Sequence, residues 1–384
     1  AASDVYKRQT TDIARHSGAK TTVIDLDGNF VMPGIHDMHV HPTHVNSAKE
    51  QGQLQFPESF TKEQIIDAVK RYAAWHPDLK IIKGSKWDSA LFPNGKATKE
   101  WLDAAIPDRP VMLTDKTFHN AVANSAALRL AGITKETPDP EFGVIDRDPT
   151  TGEPTGYLSE QAISLVQRLI PRPSAEDHYR GLKPTLETLR GYGTTSLIEM
   201  FAGPEGLEAL QQLERDGDLN MRVNVAIAMN DLFAEFTTLN ESQEIMGRHT
   251  ELTSELIGVS AKFFSDGTPL SYTSLLLQPY SDKPETSGQL TAGTDDFKRM
   301  AELHEQGVPT RHHTCGDGTT RKLLDVIEQA QKQTPNAVRH HLGHLMCVDP
   351  ADIPRFKAMN LIADFSPTLF YPSPLTMLAV DKLG

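Results

Sequence analysis

Residues 308–333 read VPTRHHTCGDGTTRKLLDVIEQAQKQ. Val308–Thr314 predicts a strand, and Asp317–Gln333 carries its apolar residues at the spacing of a helix. The same order of strand and helix recurs throughout the sequence from Ser174 onward, which predicts parallel βαβ units. The predicted strands are Thr194–Glu199, Arg222–Ala228, Ile257–Phe264, Val308–Thr314, Ala337–His344 and Leu361–Phe365, and the helices are Glu205–Arg215, Leu232–Gly247, Asp295–Gln306, Asp317–Gln333 and Asp349–Met359.

A further predicted strand ends at His41, so the units number seven, whereas a closed (β/α)8 barrel has eight. The sequence between that strand and the later units, about residues 43–173, predicts an inserted α/β subdomain. Its expected elements are a helix that follows the capping box Thr61-Lys62-Glu63-Gln64 and ends before Pro77, extended runs at Lys80–Trp87 and Pro110–Asp115, a helix at Asn120–Leu130 closed by Gly132, and a loop at Thr137–Thr155. The predicted fold class is therefore α/β.

The N-terminal region has a different pattern. Thr21–Leu26 predicts a short strand, Asp27-Gly28 a turn and Phe30–Met32 a return to extended structure. We interpret residues 10–32 as the remnant of a small β-domain. Residues 1–9 (AASDVYKRQ) resemble translated sequencing adapter and are left out of the fold prediction. A targeting signal would lie upstream of such a start, so the cytoplasm is only the default expectation.

Composition excludes several classes of function. The 384 residues carry 38 basic and 51 acidic side chains, a net charge of −13, which argues against nucleic acid and anionic membrane surfaces as partners. Only two cysteines are present, Cys315 and Cys347, so a disulfide scaffold and a cysteine-based zinc finger are excluded. The expected partner is a small-molecule substrate, and a homodimer is compatible with the sequence.

Histidines mark the expected functional site. His39 and His41 lie two residues apart at a strand end, which places both imidazoles on one face. His313 and His344 end two further predicted strands. Because active sites of parallel barrels lie at the carboxyl ends of the strands, these imidazoles predict one divalent metal site, with zinc the first choice. The alternative for each is a packed or solvated histidine, and we expect His312, His340 and His341 to be structural.

Lys262 lies near the end of an apolar strand. Burial lowers the pKa of a lysine, and a neutral amine can take up CO2 to form a carbamate that bridges two cations. The alternative is a lysine that extends to the barrel rim. Cys315 lies near the same rim and is expected to be passive, although a ligand or nucleophile is conceivable there, and Cys347 is expected to be a small buried residue.

At this point the motifs resemble the amidohydrolase superfamily, and within it the YtcJ-like (amidohydrolase 3) branch. The resemblance covers about residues 21–372 and rests on Pro33-Gly34-x-x-Asp37-x-His39-x-His41, Trp87, Trp101-Leu102-Asp103, Pro107-Asp108-Arg109-Pro110-Val111, His119, Asn124-Ser125-Ala126-Ala127-Leu128, Thr155-Gly156-Tyr157-Leu158-x-Glu160, Lys262 with Asp266-Gly267, Pro279-Tyr280, His313-x-x-Gly316-Asp317 and His344. It implies a TIM-like (β/α)8 barrel and a hydrolase of amides or related C–N compounds. It also implies one or two divalent metals, zinc first and iron or manganese as alternatives, on His39, His41, Lys262, His313 and His344. Trp87 and His119 of the insert are candidates for substrate contact.

The sequence departs from the family pattern at two places. Gly343 occupies the position of a family glutamate, and the last-strand aspartate expected to carry protons would fall after Gly384. The catalytic residue is therefore unknown, the last barrel strand is expected to be missing, and we expect the chain as it stands to be inactive. The alternatives are an esterase or lactonase on the same site, and a noncatalytic binding protein that retains the barrel.

Overall fold

A computed structural model describes residues 15, 17–45, 54–57, 59–229 and 237–384. The contacts divide the chain into two units, Ala1–Gly34 and Ile35–Gly384. In the first unit, the turn at Asp27-Gly28 is confirmed, since Asn29 N donates to Leu26 O at 2.9 Å. The predicted strand at Thr21–Leu26 is wrong, because no second segment among residues 17–34 supplies the hydrogen bonds a strand requires. Phe30–Met32 forms no strand either.

The second unit contains a sheet of seven parallel strands in the order β1-β8-β9-β10-β11-β12-β13. Their bounds are β1 Ile35–Val40, β8 Thr194–Ala202, β9 Arg222–Ala228, β10 Ile257–Phe264, β11 Thr310–Thr314, β12 His341–His344 and β13 Ile362–Asp364. The sheet curves into a nearly closed TIM-like barrel. The edge strands β1 and β13 form no ladder with each other among the described residues, but their side chains meet where His39 contacts Asp364.

Helices cover the outside of this barrel and confirm the predicted alternation. They are α1 Pro42–Val45, α6 Ala175–Gly191, α7 Pro204–Arg215, α8 Leu239–Gly247, α9 His249–Leu252, α10 Thr294–Glu305, α11 Asp317–Gln333, α12 Ile353–Ala358, α13 Pro367–Phe370 and α14 Pro374–Leu383. In α11, Leu323, Leu324 and Ile327 are fully buried against the outward side chains of the strands. The first part of the predicted helix Leu232–Gly247 lies outside the described residues, and the helix itself begins after the capping box of Thr238.

Two predicted elements of the barrel begin four residues before those observed. β12 begins at His341 rather than at Ala337, and α12 begins at Ile353 rather than at Asp349. Pairing explains the first difference, because β11 offers hydrogen bonds only opposite His341–His344. Proline explains the second difference. Pro354, near the start of α12, has no backbone N–H to donate to a preceding turn, so the helix does not begin one turn earlier.

The remaining strands form a second, mixed sheet in the order β2-β3-β4-β5-β7-β6. Its elements are β2 Leu54–Gln55, β3 Ile82–Trp87, β4 Val111–Asp115, β5 Asn120–Ala123, β6 Gly143–Arg147, β7 Pro154–Glu160, α2 Lys62–Trp75, α3 Lys99–Asp103, α4 Ser125–Ala131 and α5 Ser164–Gln167. The capping box at Thr61 is confirmed, and so is the closure of α4 by Gly132, which has a φ of 70°. Its strands all fall between residues 54 and 160, within the segment predicted as an insert.

Two predictions in this sheet are wrong. Asn120–Ala123 is a strand rather than the first turn of a helix, because it pairs antiparallel with both β4 and β7. Gly143–Arg147 is a strand within the expected loop, because it pairs with β7. In both cases the secondary structure depends on pairing with a strand that the segment itself does not contain. No helix among the described residues is long and apolar enough to cross a membrane.

Candidate metal centre

The end of β1 presents two imidazoles to the mouth of the barrel. His39 is the fifth residue of β1, and His41 directly follows the strand, with their ring centres 5.6 Å apart. His39 Nδ1 donates to Asp364 Oδ2 at 3.0 Å, across the open side of the barrel. His41 Nδ1 is buried 3.5 Å from Glu199 Oε1, and it forms no hydrogen bond within the part of the chain that the structure describes. Both side chains therefore have a carboxylate behind Nδ1.

The ends of β11 and β12 bring two more imidazoles to the same place. The His344 ring centre lies 4.4 Å from that of His39 and 4.7 Å from that of His313. His313 Nδ1 donates to Asp266 Oδ1 at 3.0 Å, and His344 Nδ1 hydrogen-bonds Ser366 Oγ at 2.9 Å. His344 has a φ of 73°, a left-handed conformation that a non-glycine residue adopts at a cost and that is common at functional sites.

Burial sets the charge of these imidazoles. It lowers the pKa of His39 to about 3, and it lowers the pKa values of His313 and His344 well below their ordinary value. Burial would raise the pKa of Asp364, but hydrogen bonds from His341 and His39 outweigh it and hold that pKa below its ordinary value. The rings are therefore neutral and can offer lone pairs, while Asp364 remains a carboxylate.

Lys262 points into the barrel one strand away from these histidines. Its side chain is 1% exposed, and β10 pairs it directly with Arg311 of β11. Burial lowers the pKa of its amine to about 7. The amine lies 5.1 Å from the centre of the Phe264 ring and forms no ion pair among the described residues. A neutral amine at this position is the form that reacts with CO2.

Asp266 organises the turn between β11 and α11. Its carboxylate accepts from His313 Nδ1 and from the backbone N–H groups of Cys315 and Gly316 at 3.1 and 2.9 Å. Burial raises the pKa of Asp266 above its ordinary value. Gly316 leaves room for the backbone of Leu275 beside this turn, because a Cβ there would lie 2.0 Å from Leu275 O. His313 and Cys315 are thereby held in fixed orientations.

The second sheet contributes one polar pair to the mouth of the barrel. His119 Nδ1 donates to Glu160 Oε2 at 2.8 Å, and the His119 ring centre lies 5.5 Å from that of His313. Burial would lower the pKa of His119, but Glu160 outweighs it and raises that pKa. Glu160 ends β7 with a φ of 52°, and Thr273 donates to its other oxygen at 2.9 Å.

The structure does not bring Trp87 to this site. The Trp87 side chain is 0% exposed and packs in the apolar core of the second sheet beside Phe92 and Trp101. Its indole N–H donates to Leu113 O at 2.9 Å, so the polar atom is satisfied internally. A contact with substrate would require the core to open.

The three histidines expected to be structural have roles of different kinds. His312 stacks on Phe263 outside the barrel and hydrogen-bonds Ser265 and Thr310. His340 is buried and bonded to His304. His341 faces inward, with Nδ1 2.7 Å from an Arg311 nitrogen and Nε2 3.1 Å from Asp364 Oδ2. His341 therefore holds the carboxylate that orients His39.

Sequence reasoning missed the carboxylates behind the histidines. Glu199, Asp266 and Asp364 were given no role, although each lies at or just beyond the end of a predicted strand. An acidic side chain at the carboxyl end of a barrel strand was the available signal. Gly343 also has a spatial reason: a Cβ there would lie 3.3 Å from the His39 ring, so the absence of a side chain makes room for that imidazole.

The donor set fits a divalent transition metal. His39, His313 and His344 are neutral, close together and hydrogen-bonded through Nδ1, which leaves Nε2 of each as a donor. Metal-binding histidines in proteins ordinarily have such a partner on the second nitrogen. His41 adds a nitrogen at the same mouth, and imidazole suits zinc and similar ions.

Comparisons with known proteins show the family of the chain. The profile of the Amidohydrolase family matches residues 22–384. The chain is 28% identical to "Putative amidohydrolase YtcJ" of Bacillus subtilis, over 96% of this chain and 68% of that protein. It is 31% identical to "N-substituted formamide deformylase" of Arthrobacter pascens, over 84% of this chain and 60% of that protein.

A solved structure is similar to this chain in fold and in sequence. The crystal structure of an uncharacterized metal-dependent hydrolase from Pyrococcus horikoshii superposes with a TM-score of 0.66 and 25% identity, over 97% of this chain and 70% of that one. The resemblance to the amidohydrolase superfamily and to its YtcJ-like branch is confirmed. The chain belongs to the amidohydrolase family, whose solved relatives are metal-dependent hydrolases.

Proposed function

We propose that this chain carries the metal site of an enzyme that hydrolyses a C–N bond of the non-peptide amide type in a small-molecule substrate, with zinc at the mouth of the barrel. The observation that carries the proposal is the convergence of four imidazoles and one buried lysine at the carboxyl ends of four strands. Burying His39, His313 and His344 as neutral rings has little structural use in a barrel core, since each ring loses its hydration when it is buried.

The arrangement suggests two halves of one site. His39 and His41 would hold one cation, and His313 and His344 a second. Lys262 would join them after its amine adds to CO2, a reaction that forms an N–C bond, releases one proton and creates a carbamate with two oxygen donors. When bound, a divalent cation polarises a carbonyl and makes a coordinated water acidic enough to supply hydroxide near neutral pH.

The residues around the cations orient and position. Asp364 and Asp266 accept the Nδ1 protons of His39 and His313, which holds Nε2 of each ring toward the centre. Glu160 fixes the His119 ring next to His313, at the side where the second sheet covers the mouth. His119 would therefore contact the substrate, with Nδ1 committed to Glu160 and Nε2 available for a polar group.

The bond class rests on the relatives. The name of the Arthrobacter pascens relative states an N-substituted formamide as its substrate, which is a C–N bond outside a peptide. The imidazole and carbamate donors are compatible with such a carbonyl substrate. We accordingly place the C–N class ahead of an ester.

Metal analysis tests this proposal directly. The purified chain is stripped with a chelator, reloaded with Zn2+ and analysed for bound metal beside the His39→Ala variant. We expect one to two equivalents of zinc per chain and a loss of at least one equivalent in the variant. Reloaded wild-type protein that retains no zinc would refute the metal site, and, where turnover is detected, faster turnover of esters than of matched amides would refute the bond class.

A further inference from the structure

Cys315 is the first residue after β11, and it stands two residues beyond His313. The spacing His313-x-Cys315 repeats the spacing His39-x-His41 at the end of β1. Residues two apart at a strand end project to the same side of the sheet. The two strand ends therefore each present a pair of metal-binding side chains, one with two imidazoles and the other with an imidazole and a thiol.

The thiol lies where a ligand of the His313 cation would lie. Cys315 Sγ is 3.9 Å from His313 Nε2, the ring nitrogen that Asp266 leaves available. The Cys315 side chain is 1% exposed. The ligand atoms of Asp266, His313 and Cys315 all lie within 4.8 Å of one another. This buried group is the tightest set of candidate metal donors that the described residues contain.

The distance between nitrogen and sulfur suits one shared ion. Zinc binds imidazole nitrogen at about 2.0–2.1 Å and thiolate sulfur at about 2.3 Å, so a tetrahedral ion separates the two donors by about 3.6 Å. The observed 3.9 Å requires a shift of a few tenths of an ångström. The backbone is already fixed, because the N–H groups of Cys315 and Gly316 both donate to Asp266.

We propose that Cys315 binds the same cation as His313, so that this half of the site has a nitrogen and sulfur donor pair. The inference rests on the proposed metal site and deepens it. On binding, the S–H bond breaks, the proton passes to solvent, and the sulfur forms a bond to the cation in place of a water ligand. A thiolate ligand favours Zn2+, Co2+ or Cd2+ over Mn2+, because soft donors prefer soft ions.

The same three side chains also have the connectivity of a nucleophilic triad, with Asp266 bonded to His313 and His313 facing the thiol. Two observations favour the metal ligand. The thiol is almost fully buried, and the ring of His344, a neutral imidazole, lies 4.7 Å from the ring of His313, so a further nitrogen donor stands beside the pair. A nucleophile instead requires open space for a carbonyl carbon.

Cobalt substitution tests the assignment without relying on catalysis. The metal-free chain is titrated with Co2+ alone, and its absorption is recorded for wild type, Cys315→Ser and Cys347→Ser. A cobalt–thiolate bond gives a charge-transfer band in the near ultraviolet, separate from the visible bands that report Co2+ bound by any donor. Cys347 is the matched control, because it is the other cysteine of the chain and lies half-buried in the loop after β12.

We expect the charge-transfer band in wild type and Cys347→Ser and its loss in Cys315→Ser. We also expect the preference for Zn2+ over Mn2+ to fall at least tenfold in Cys315→Ser. Visible cobalt bands without a charge-transfer band in wild type would overturn the thiolate ligand and leave the histidine site intact. Absence of all cobalt bands would refute the proposed metal site as well. If wild type hydrolyses a substrate and Cys315→Ser does not, while the cobalt spectrum is unchanged, Cys315 is a nucleophile and not a metal ligand.

Discussion

The two sheets of this molecule differ in what they deliver to the mouth of the barrel. The barrel sheet has only parallel strands, so all of its carboxyl ends meet at one rim, and the four imidazoles and Asp364 gather there. The second sheet mixes parallel and antiparallel pairs, so its strand ends are divided between two edges. It contributes the hydrogen-bonded pair of His119 and Glu160. Strand direction, rather than the number of polar residues, determines where a site forms.

The interiors differ in the same way. The barrel buries the amine of Lys262 and the guanidinium of Arg311, which hydrogen-bonds Asn224 and Ser260. The second sheet instead packs Trp87, Val111 and Leu113 into an apolar core. Burial of charged and polar groups costs the barrel sheet stability but positions its candidate metal ligands, whereas apolar packing stabilises the second sheet. The following predictions test that division, and they begin with the largest expected effect.

Trp87→Ala should remove a large part of the second core. We expect a loss of about 3–5 kcal/mol in the free energy of unfolding, measured by urea denaturation, because a fully buried indole leaves a cavity. Bound zinc per folded chain should be unchanged. Trp75→Ala is the matched control, since that side chain is 75% exposed and should cost little. Loss of zinc from folded Trp87→Ala would contradict the division between the sheets.

Asp364→Asn should weaken the metal site from the barrel side. The amide cannot accept from His39 Nδ1 as a carboxylate does, and loss of such a partner ordinarily costs about 10–100-fold in metal affinity. Competition with a chelator measures the change. Asp295→Asn, an exposed residue of α10, should have no effect. An unchanged zinc affinity in Asp364→Asn would show that the contact across the open side of the barrel does not orient His39.

Glu160→Gln should affect the second sheet without affecting the metal. The change weakens the buried bonds to His119 and Thr273, and we expect a loss of about 1–3 kcal/mol in unfolding free energy. Zinc content should remain that of wild type. Glu153→Gln, exposed at the start of the same hairpin arm, is the control. Zinc loss in Glu160→Gln alone would make the pair part of the metal centre.

The smallest effect is expected in the helical layer, at the ion pair of Arg172 with Glu241. The pair is 3.0 Å long and partly exposed. Burial alone would raise the pKa of Glu241, but the combined bonds from Arg172 and Thr238 outweigh it and lower that pKa from 4.5 to about 2. A carboxylate with a lowered pKa stabilises the fold above its unfolded pKa, and this stabilisation is lost as the pH falls from about 4.5 to about 2.

Glu241→Gln should therefore cost less than about 1 kcal/mol at neutral pH. The difference from wild type should vanish in acid, as followed by thermal unfolding against pH. Glu244→Gln, at an exposed position of the same helix, is the control for replacing a glutamate there. A difference that persists at pH 2 would mean that the Glu241 charge is not its source.

Some elements were predictable because their signals are local. β9, β10 and α11 have the predicted bounds, since apolar runs and helical spacing are complete within each segment. β5 and β6 were missed because a short strand is stabilised by its neighbours, and those neighbours are distant in sequence. Trp87 looked like a substrate contact because a motif does not report burial.

The sequence by itself determined the α/β class, the seven strands of the barrel and which histidines stand at strand ends. Alternation along a strand and the polarity of parallel strands are properties of local chain geometry. Only the tertiary structure decided which carboxylate stands behind each ring. Asp364 is 325 residues from His39, and Asp266 is 47 from His313. The same burial decided which rings are neutral, because desolvation depends on everything packed around a group and not on its neighbours in sequence.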